Sequence, residues 1–413
     1  MKTKTQSQKP TRGKLSILHQ LCNLIPPHLV PQLARETGGD KDARTYLPWS
    51  HVVALLFAQL THSLGLNDVC DALRLHSGPL AAIRGATPPR RNTLSHANRE
   101  RDPALAERLF WRMLEHLQTL CPGFGAGRRR RFGFRFKRAI HLVDSTTIQL
   151  VANALDWAKH RRRKAAAKCH LRLNLQSFLP GCAIVDTARD ADAKRAREVC
   201  AGLQDGEIAL FDKAYLDLRH LFDLFVRGVF WVTRAKDGMK FRVVRRYQRG
   251  QVGNILRDDL VRMQSSASRR AYPALLRRVV ALVEVDGKVR PMTFLSNNLV
   301  WSAQTIADLY RCRWEIECFF KELKQTLQLA DFLGHNARAV RWQVWTALVT
   351  YLLLRFAAFL SAWPHSFIRL FTLLRSALWQ RLDLRSLLDA YGTAGGHFRF
   401  LGTPEQAYLP GFG

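Results

Sequence analysis

Four polar side chains in the stretch YRCRWEIECFFKELK, Tyr310 to Lys324, are spaced so that they could serve phosphodiester chemistry. The stretch has no Gly or Pro and is rich in helix formers, so a single helix is expected. At about 100° per residue from Tyr310, Arg313 falls near 300°, Lys324 near 320° and Glu317 near 340°. These four share one narrow stripe beside an apolar face of Ile316, Phe319, Phe320, Leu323 and Leu327. Glu315 and Glu322 fall beyond that face and read as solvated surface charges. A carboxylate in such a stripe can hold a divalent metal, and Arg and Lys beside it can hold phosphate oxygens. An ordinary amphipathic helix with surface ion pairs would show the same stripe. The decision rests on whether other carboxylates are delivered to the same place.

Two are candidates. AIHLVDSTTIQL, from Ala139, reads as a strand in which Ile140, Leu142 and Asp144 share a face. An acid on an apolar strand is costly to desolvate unless it is paired or binds a metal. A short apolar strand, Glu207–Phe211, then delivers Asp212. Asp186, Asp190, Asp192 and Asp217 lie nearby in sequence and compete for the same roles.

The elements around these acids suggest an α+β chain. Strands are expected at Cys169–Gln176 and Cys182–Thr187, a helix at Asp190–Leu203, and a helical pattern after Asp212. Three strands, a helix and a fourth strand ending in a carboxylate follow the plan of an RNase H-like fold. Between Asp212 and Glu317 the chain is strand-rich, and RRVVALVEV and KVRPMTFLS flank a hairpin signal at Asp286-Gly287. The expected organisation is a basic disordered leader at 1–13, a helical DNA-binding domain at 14–121 and a Gly/Arg-rich linker at 122–138. The first part of the mixed-sheet core follows at 139–227, and a β-rich insertion at 228–300. The Glu317 helix and further helices, Ala337–Trp363 and Phe367–Ala390, occupy 301–390, before a loose tail at 391–413. In the first domain Leu66–His76 and Asn92–Arg99 could form a helix-turn-helix-like reader exposing Ser95, His96, Asn98 and Arg99, although the intervening segment exceeds a standard turn.

Composition narrows the partner. The 413 residues carry 64 Lys+Arg against 33 Asp+Glu, a net charge of +31. Such an excess points to a polyanion, most often nucleic acid. A second cationic cluster, Arg161, Arg162, Arg163 and Lys164, is either a solvated loop or a DNA-backbone contact. The eight cysteines form no C-x-x-C pair and read as reduced thiols. A zinc site from Cys169, His170, Cys182 and Cys200 has no common spacing behind it. Val344 to Trp363 is the most membrane-like run, but Arg355, Thr346, Thr350 and Ser361 interrupt it, so a buried core helix and no membrane partner are expected.

Asp144 in VDST, Asp212 in LFDKAY and Glu317 in Y-x2-R-x3-E-x6-K resemble the catalytic triad of DDE insertion-sequence transposases. The resemblance is closest to the subgroup with the YREK signature and a β-strand insertion before the Glu, and it covers roughly residues 14–390. LPWSHVVALLFAQL and RRNTLSHANRERD resemble the helical domain ahead of the catalytic core in such proteins. Ala214 stands before Tyr215 where the family commonly has Gly. The resemblance implies that Asp144, Asp212 and Glu317 bind two Mg²⁺ ions, for which Mn²⁺ can substitute, and that they catalyse cleavage at element ends and strand transfer into target DNA. It implies phosphate contacts by Tyr310, Arg313 and Lys324, base stacking by Trp314 or Trp301, double-stranded DNA as partner, and a homodimer that pairs two ends in the cytoplasm. A DNA-binding repressor derived from a transposase, or an RNase H-like nuclease that cuts without joining, are the other readings.

Overall fold

The computed structural model describes residues 9–126, 136, 138–149, 159–160, 164–187, 192–327, 334 and 336–392, apart from 42, 249 and 286. Arg161, Arg162, Arg163, most of the expected linker and the tail beyond Gly392 lie outside the described residues, and Lys164 is described only as strand backbone. The chain forms two compact units. One comprises Met1–Phe124, Ile148–Ala167 and Cys318–Gly413, and the other Gly125–Thr147 and Lys168–Glu317.

The first unit opens with seven helices: α1 (Ile17–Asn23), α2 (Leu29–Thr37), α3 (Pro48–Thr61), α4 (Leu66–Leu75), α5 (Ser77–Ala81), α6 (Arg91–Glu100) and α7 (Ala104–Leu120). Local chemistry sets their ends. The Ser16 hydroxyl accepts from the His19 amide to start α1, Pro48 opens α3, and Gly38 closes α2 at φ +66°. α4 and α6 pack together, and Ser95 and His96 are exposed on α6. Asn98 is the exception: it is buried, and its Oδ1 lies 2.8 Å from Nε2 of the buried His51. It lies one helical step from the exposed side, so tertiary packing takes it into the core while Arg99 stays outside.

The second unit is built on a ten-stranded sheet. Its strands are β1 (Ile140–Gln149), β2 (Lys159–His160), β3 (Lys164–Asn174), β4 (Pro180–Thr187), β5 (Ile208–Phe211), β6 (Phe230–Arg234), β7 (Phe241–Gln248), β8 (Ile255–Met263), β9 (Leu276–Val285) and β10 (Lys288–Ser296). The two-residue β2 pairs with the start of β3, which falls in the first unit. The path runs β3-β1-β5-β6-β10-β9-β8-β7, with β4 on the outer side of β3. The β1, β5 and β6 strands are parallel; β10, β9, β8 and β7 are antiparallel. Helices α8 (Asp192–Val199), α9 (Leu218–Val226) and α10 (Ser266–Ala271) connect them. Three long strands, a helix and a fourth strand ending at an acid reproduce the expected RNase H-like plan.

The strand-rich segment is present but is not a separate body. β10 pairs antiparallel with β6 and so prolongs the core sheet. The boundary expected at residue 228 would cut β6 from its parallel partner β5. The β9–β10 pairing brings Val285 opposite Lys288 across the expected two-residue turn, with Gly287 at φ +70°. Asn297 locks the junction. Its Oδ1 accepts from the Trp231 amide at 2.8 Å, and its Nδ2 donates to the Val229 carbonyl at 2.8 Å.

The expected single helix from Tyr310 to Lys324 is interrupted. α11 (Ala303–Arg311) stops, three-residue hydrogen bonds tighten the backbone at 312–316, and α12 (Trp314–Lys321) resumes before a π-helical turn at Glu322–Thr326. Tyr310 therefore belongs to a different helix from Glu317, and the uniform 100° count fails across the break. Glu315 and Glu322 are half-buried rather than solvated.

The first unit closes with α13 (Ala337–Leu360), α14 (Phe367–Ser376) and α15 (Leu384–Gly392). α13 is long and apolar enough to cross a membrane, but 83% of its most apolar window is buried, against α7 and α3. The helix expected over Phe367–Ala390 splits because residues 378–383 use their backbone to pair with the start of the chain. Gly13 donates to the Arg381 carbonyl and Leu18 to that of Leu378, both at 2.9 Å. Part of the expected leader is thus built into this unit.

Asn297→Ala would leave a buried amide and a buried carbonyl without partners. We expect a loss of about 2–4 kcal/mol in urea unfolding; a change below about 0.5 kcal/mol would show that the junction does not depend on this side chain.

Candidate active site

The site begins with two strands that end together. β1 and β5 are parallel, and the register pairs Ile140 with Ile208 and continues to Val143 with Phe211. Every residue of these four pairs is buried and all but His141 are apolar, as parallel strands covered on both faces require. The next residues are Asp144 and Asp212. Neighbouring strands run about 4.8 Å apart, so the two acids leave the carboxyl edge of the sheet side by side. Such an edge is where parallel sheets deliver ligand-binding groups. Asp212 also caps the following 3₁₀ turn, Lys213–Tyr215, its side chain accepting from the Ala214 amide.

The third acid comes from α12. Arg313, at its start, reaches Asp144 Oδ2 at 2.9 Å with one nitrogen and Glu317 Oε1 at 2.7 Å with another. The guanidinium and Asp144 are each 15% exposed, and Glu317 is 36% exposed. Burial raises the Asp144 carboxyl to about 6, and the nearby charges of Asp212 and Glu317 push the same way. Arg313 and the Ser145 amide oppose that rise. Burial tends to lower the Arg313 guanidinium, but Tyr310, Asp144 and Glu317 outweigh it and hold it above its usual range. The cation is therefore locked on by the acids it separates, and the Tyr310 ring lies 5.7 Å beneath it. Burial also raises the Tyr310 phenol, which stays neutral.

The other expected residues are dispersed. Trp314 is 54% exposed at the start of α12. Trp301 is half-buried, packed between Phe136 and Phe230 with ring centroids 5.4 and 5.3 Å away. Lys324 lies in the π-helical turn, in the first unit, and Arg99 is exposed on α6 beside Glu100. Asp192 went unassigned in the sequence beyond its place among competing carboxylates. It accepts from the Ser145 hydroxyl at 2.7 Å. The signals available for it were a Ser directly after Asp144 and polar residues breaking the apolar run of β3.

Comparison with known proteins identifies the family. The model of the transposase DDE domain family matches residues 135–353, and a domain family of unknown function matches residues 13–83. A Sinorhizobium fredii protein that bears a transposase name is 32% identical over 289 residues, covering 69% of this chain and 79% of that protein. The chain belongs to the DDE transposase family. The transposase of insertion sequence element IS4 of Escherichia coli is 26% identical over 194 residues, 45% of this chain and 42% of that one. A Geobacillus stearothermophilus protein named for an insertion sequence element is 27% identical over 229 residues, 55% of this chain and 59% of that one. Membership makes this chain a nucleic-acid-cleaving enzyme of a kind that uses divalent metals.

The donor set of this transposase suits such a metal. Asp144, Asp212 and Glu317 offer only carboxylate oxygens, the hard ligands Mg²⁺ prefers. In their described positions no three acidic, His or Cys side chains among the described residues form a closed ligand group. Arg313 lies between two of the acids, and its Nε is buried with no hydrogen-bond partner. Positive charge is thus already balanced against negative charge at the place where the acids meet.

Removing that cation has a pH-dependent consequence. Arg313→Ala leaves Asp144 and Glu317 uncompensated, and we expect a loss of about 2–4 kcal/mol near pH 7.5, reduced because Glu317 is partly exposed. Without the guanidinium the Asp144 carboxyl rises above about 6. A raised acid favours the folded state when protonated, so the loss shrinks as pH falls through that value. Urea unfolding at two pH values checks this; equal losses at both would contradict the pairing.

Proposed function

We propose that this chain is an insertion-element transposase that cuts DNA at element ends and joins them to target DNA. Asp144, Asp212 and Glu317 are its metal-holding and catalytic residues. The observation that supports the reading best is the parallel β1–β5 register, which ends with Asp144 beside Asp212, together with the Arg313 bridge from Asp144 to Glu317. In this reading the cofactor is Mg²⁺, two ions with Mn²⁺ able to substitute, and when bound it supplies Lewis acidity and a nucleophile competent at neutral pH.

The side chains do the rest. Asp144 and Asp212 are held rigidly by the buried strand pair, so their carboxylates need little reorganisation. Arg313 keeps Asp144 ionised despite its burial and brings donors toward a phosphate. Tyr310 and Lys324 grip the DNA backbone near the scissile bond, and the exposed Trp314 stacks on a displaced base. A water attacks in line at the element end, and the freed 3′-OH then attacks target DNA, with no covalent bond between protein and DNA. Arg99 and the Arg161–Lys164 cluster add phosphate contacts, and two copies pair two ends on cytoplasmic DNA.

Purified protein with an end-containing duplex and Mg²⁺ or Mn²⁺ tests this. Wild type should nick the ends, and Asp144→Asn, Asp212→Asn and Glu317→Gln should lose cleavage on the order of 10³-fold or more while still binding DNA. Pre-cleaved 3′-OH ends should be joined to target. Cleavage without joining would indicate a nuclease, and binding without metal-dependent cleavage a repressor.

The net charge of +31 carries a separate expectation. End-DNA affinity should fall on the order of 10³-fold or more between roughly 50 and 200 mM salt, because each neutralised phosphate releases counterions. A flat gel-shift titration would rule out broad backbone contact.

A further inference from the structure

Next to Asp144 and Asp212 in the chain, Ser145 and Tyr215 join a buried polar network that the proposed chemistry does not use. Asp192, in the first turn of α8, is 13% exposed. Its Oδ1 accepts from Ser145 Oγ at 2.7 Å and from Lys168 Nζ at 2.8 Å, and lies 3.5 Å from Nδ1 of the fully buried His170. That nitrogen is 2.8 Å from the Tyr215 hydroxyl. Tyr215 is itself fully buried.

The directions of these bonds are constrained. Burial lowers His170 to about 4, so the ring is neutral and carries one hydrogen. His170 Nε2 is buried with no partner. A bare lone pair there is less costly than an unsatisfied N–H, so the hydrogen sits on Nδ1 and is donated to Tyr215. The Ser145 hydroxyl donates to Asp192 Oδ1, which also lies 3.5 Å from His170 Nδ1. That carboxylate is the strongest acceptor of the four groups. Lys168 balances the charge of that carboxylate.

Both ends of the strand pair are tied to this network. The Ser145 amide donates to Asp144 Oδ1 at 2.7 Å, so fixing the Ser145 side chain fixes the donor that aims Asp144. Tyr215 closes the turn that Asp212 caps, its amide donating to the Asp212 carbonyl at 3.0 Å. We infer that Asp192 is a positioning residue: through Ser145 and Tyr215 it sets the orientation of Asp144 and Asp212 toward the metal. The inference rests on the reading of those two acids as metal ligands. Outer partners of ligating carboxylates typically govern metal affinity by about 10–100-fold.

The test is binding of Mn²⁺ alone to the full chain, followed by electron paramagnetic resonance of the free ion, alongside metal-free end-DNA binding and thermal unfolding. Asp192→Asn, Ser145→Ala and Tyr215→Phe should each weaken Mn²⁺ binding about 10-fold with end-DNA binding unchanged. Ser145→Thr, which keeps a hydroxyl, should restore it. Tyr215→Phe removes one oxygen from an otherwise intact ring and carries the test should Asp192→Asn fold poorly. If Asp144→Asn abolishes Mn²⁺ binding while the three variants bind as wild type, the positioning role is wrong and the metal reading stands. If Asp144→Asn itself binds Mn²⁺ as wild type, the metal reading fails, and the positioning role with it.

Discussion

Asp212 and Glu317 lie near enough to Asp144 for their charges to repel it, and Arg313 answers that repulsion. Burial and its acidic neighbours have raised Asp144 to about 6. A single guanidinium, inserted between Asp144 and Glu317, offsets part of both effects. It is a suitable counter-charge because its planar fork donates to two carboxylates at once, with a separate nitrogen for each. A lysine would place a point charge there and satisfy fewer directions.

The sheet makes this concentration of charge tolerable. β1 and β5 are buried on both faces, so their backbones have almost no freedom, and the acids that follow them inherit that rigidity. The strand-rich segment prolongs the same sheet through β10 instead of forming a detached body. Asn297 satisfies two backbone groups at the seam, where a mismatch between parallel and antiparallel ladders would otherwise leave them without partners. Loop length alone does not reveal such a continuation, since it depends on which edge strand the returning chain meets.

Hydrophobic α13 shows the same dependence on context. Its length and apolarity suit a membrane as well as a core, and packing against α7 and α3 gives it a core's burial. The backbone of residues 378–383 is likewise drawn out of helical geometry by pairing with the start of the chain, against a local pattern that reads as continuous helix.

Sequence alone carried the element types, the RNase H-like order of strands and the hairpin at Gly287, because apolar period and turn residues are local properties. Partnership across the fold was decided by the tertiary structure. Asp144 and Arg313 are 169 positions apart and meet only in the folded chain. The break before Trp314 shifts the helical phase, which no uniform period anticipates. Asn98, one step from an exposed face, is buried because His51 arrives beside it. Asp192 looked like one acid among several until α8 brought it within 2.7 Å of the residue following Asp144. Periodicity records which side of an element is apolar; it holds no information about which distant polar group will be on that side, and desolvation makes that identity decisive.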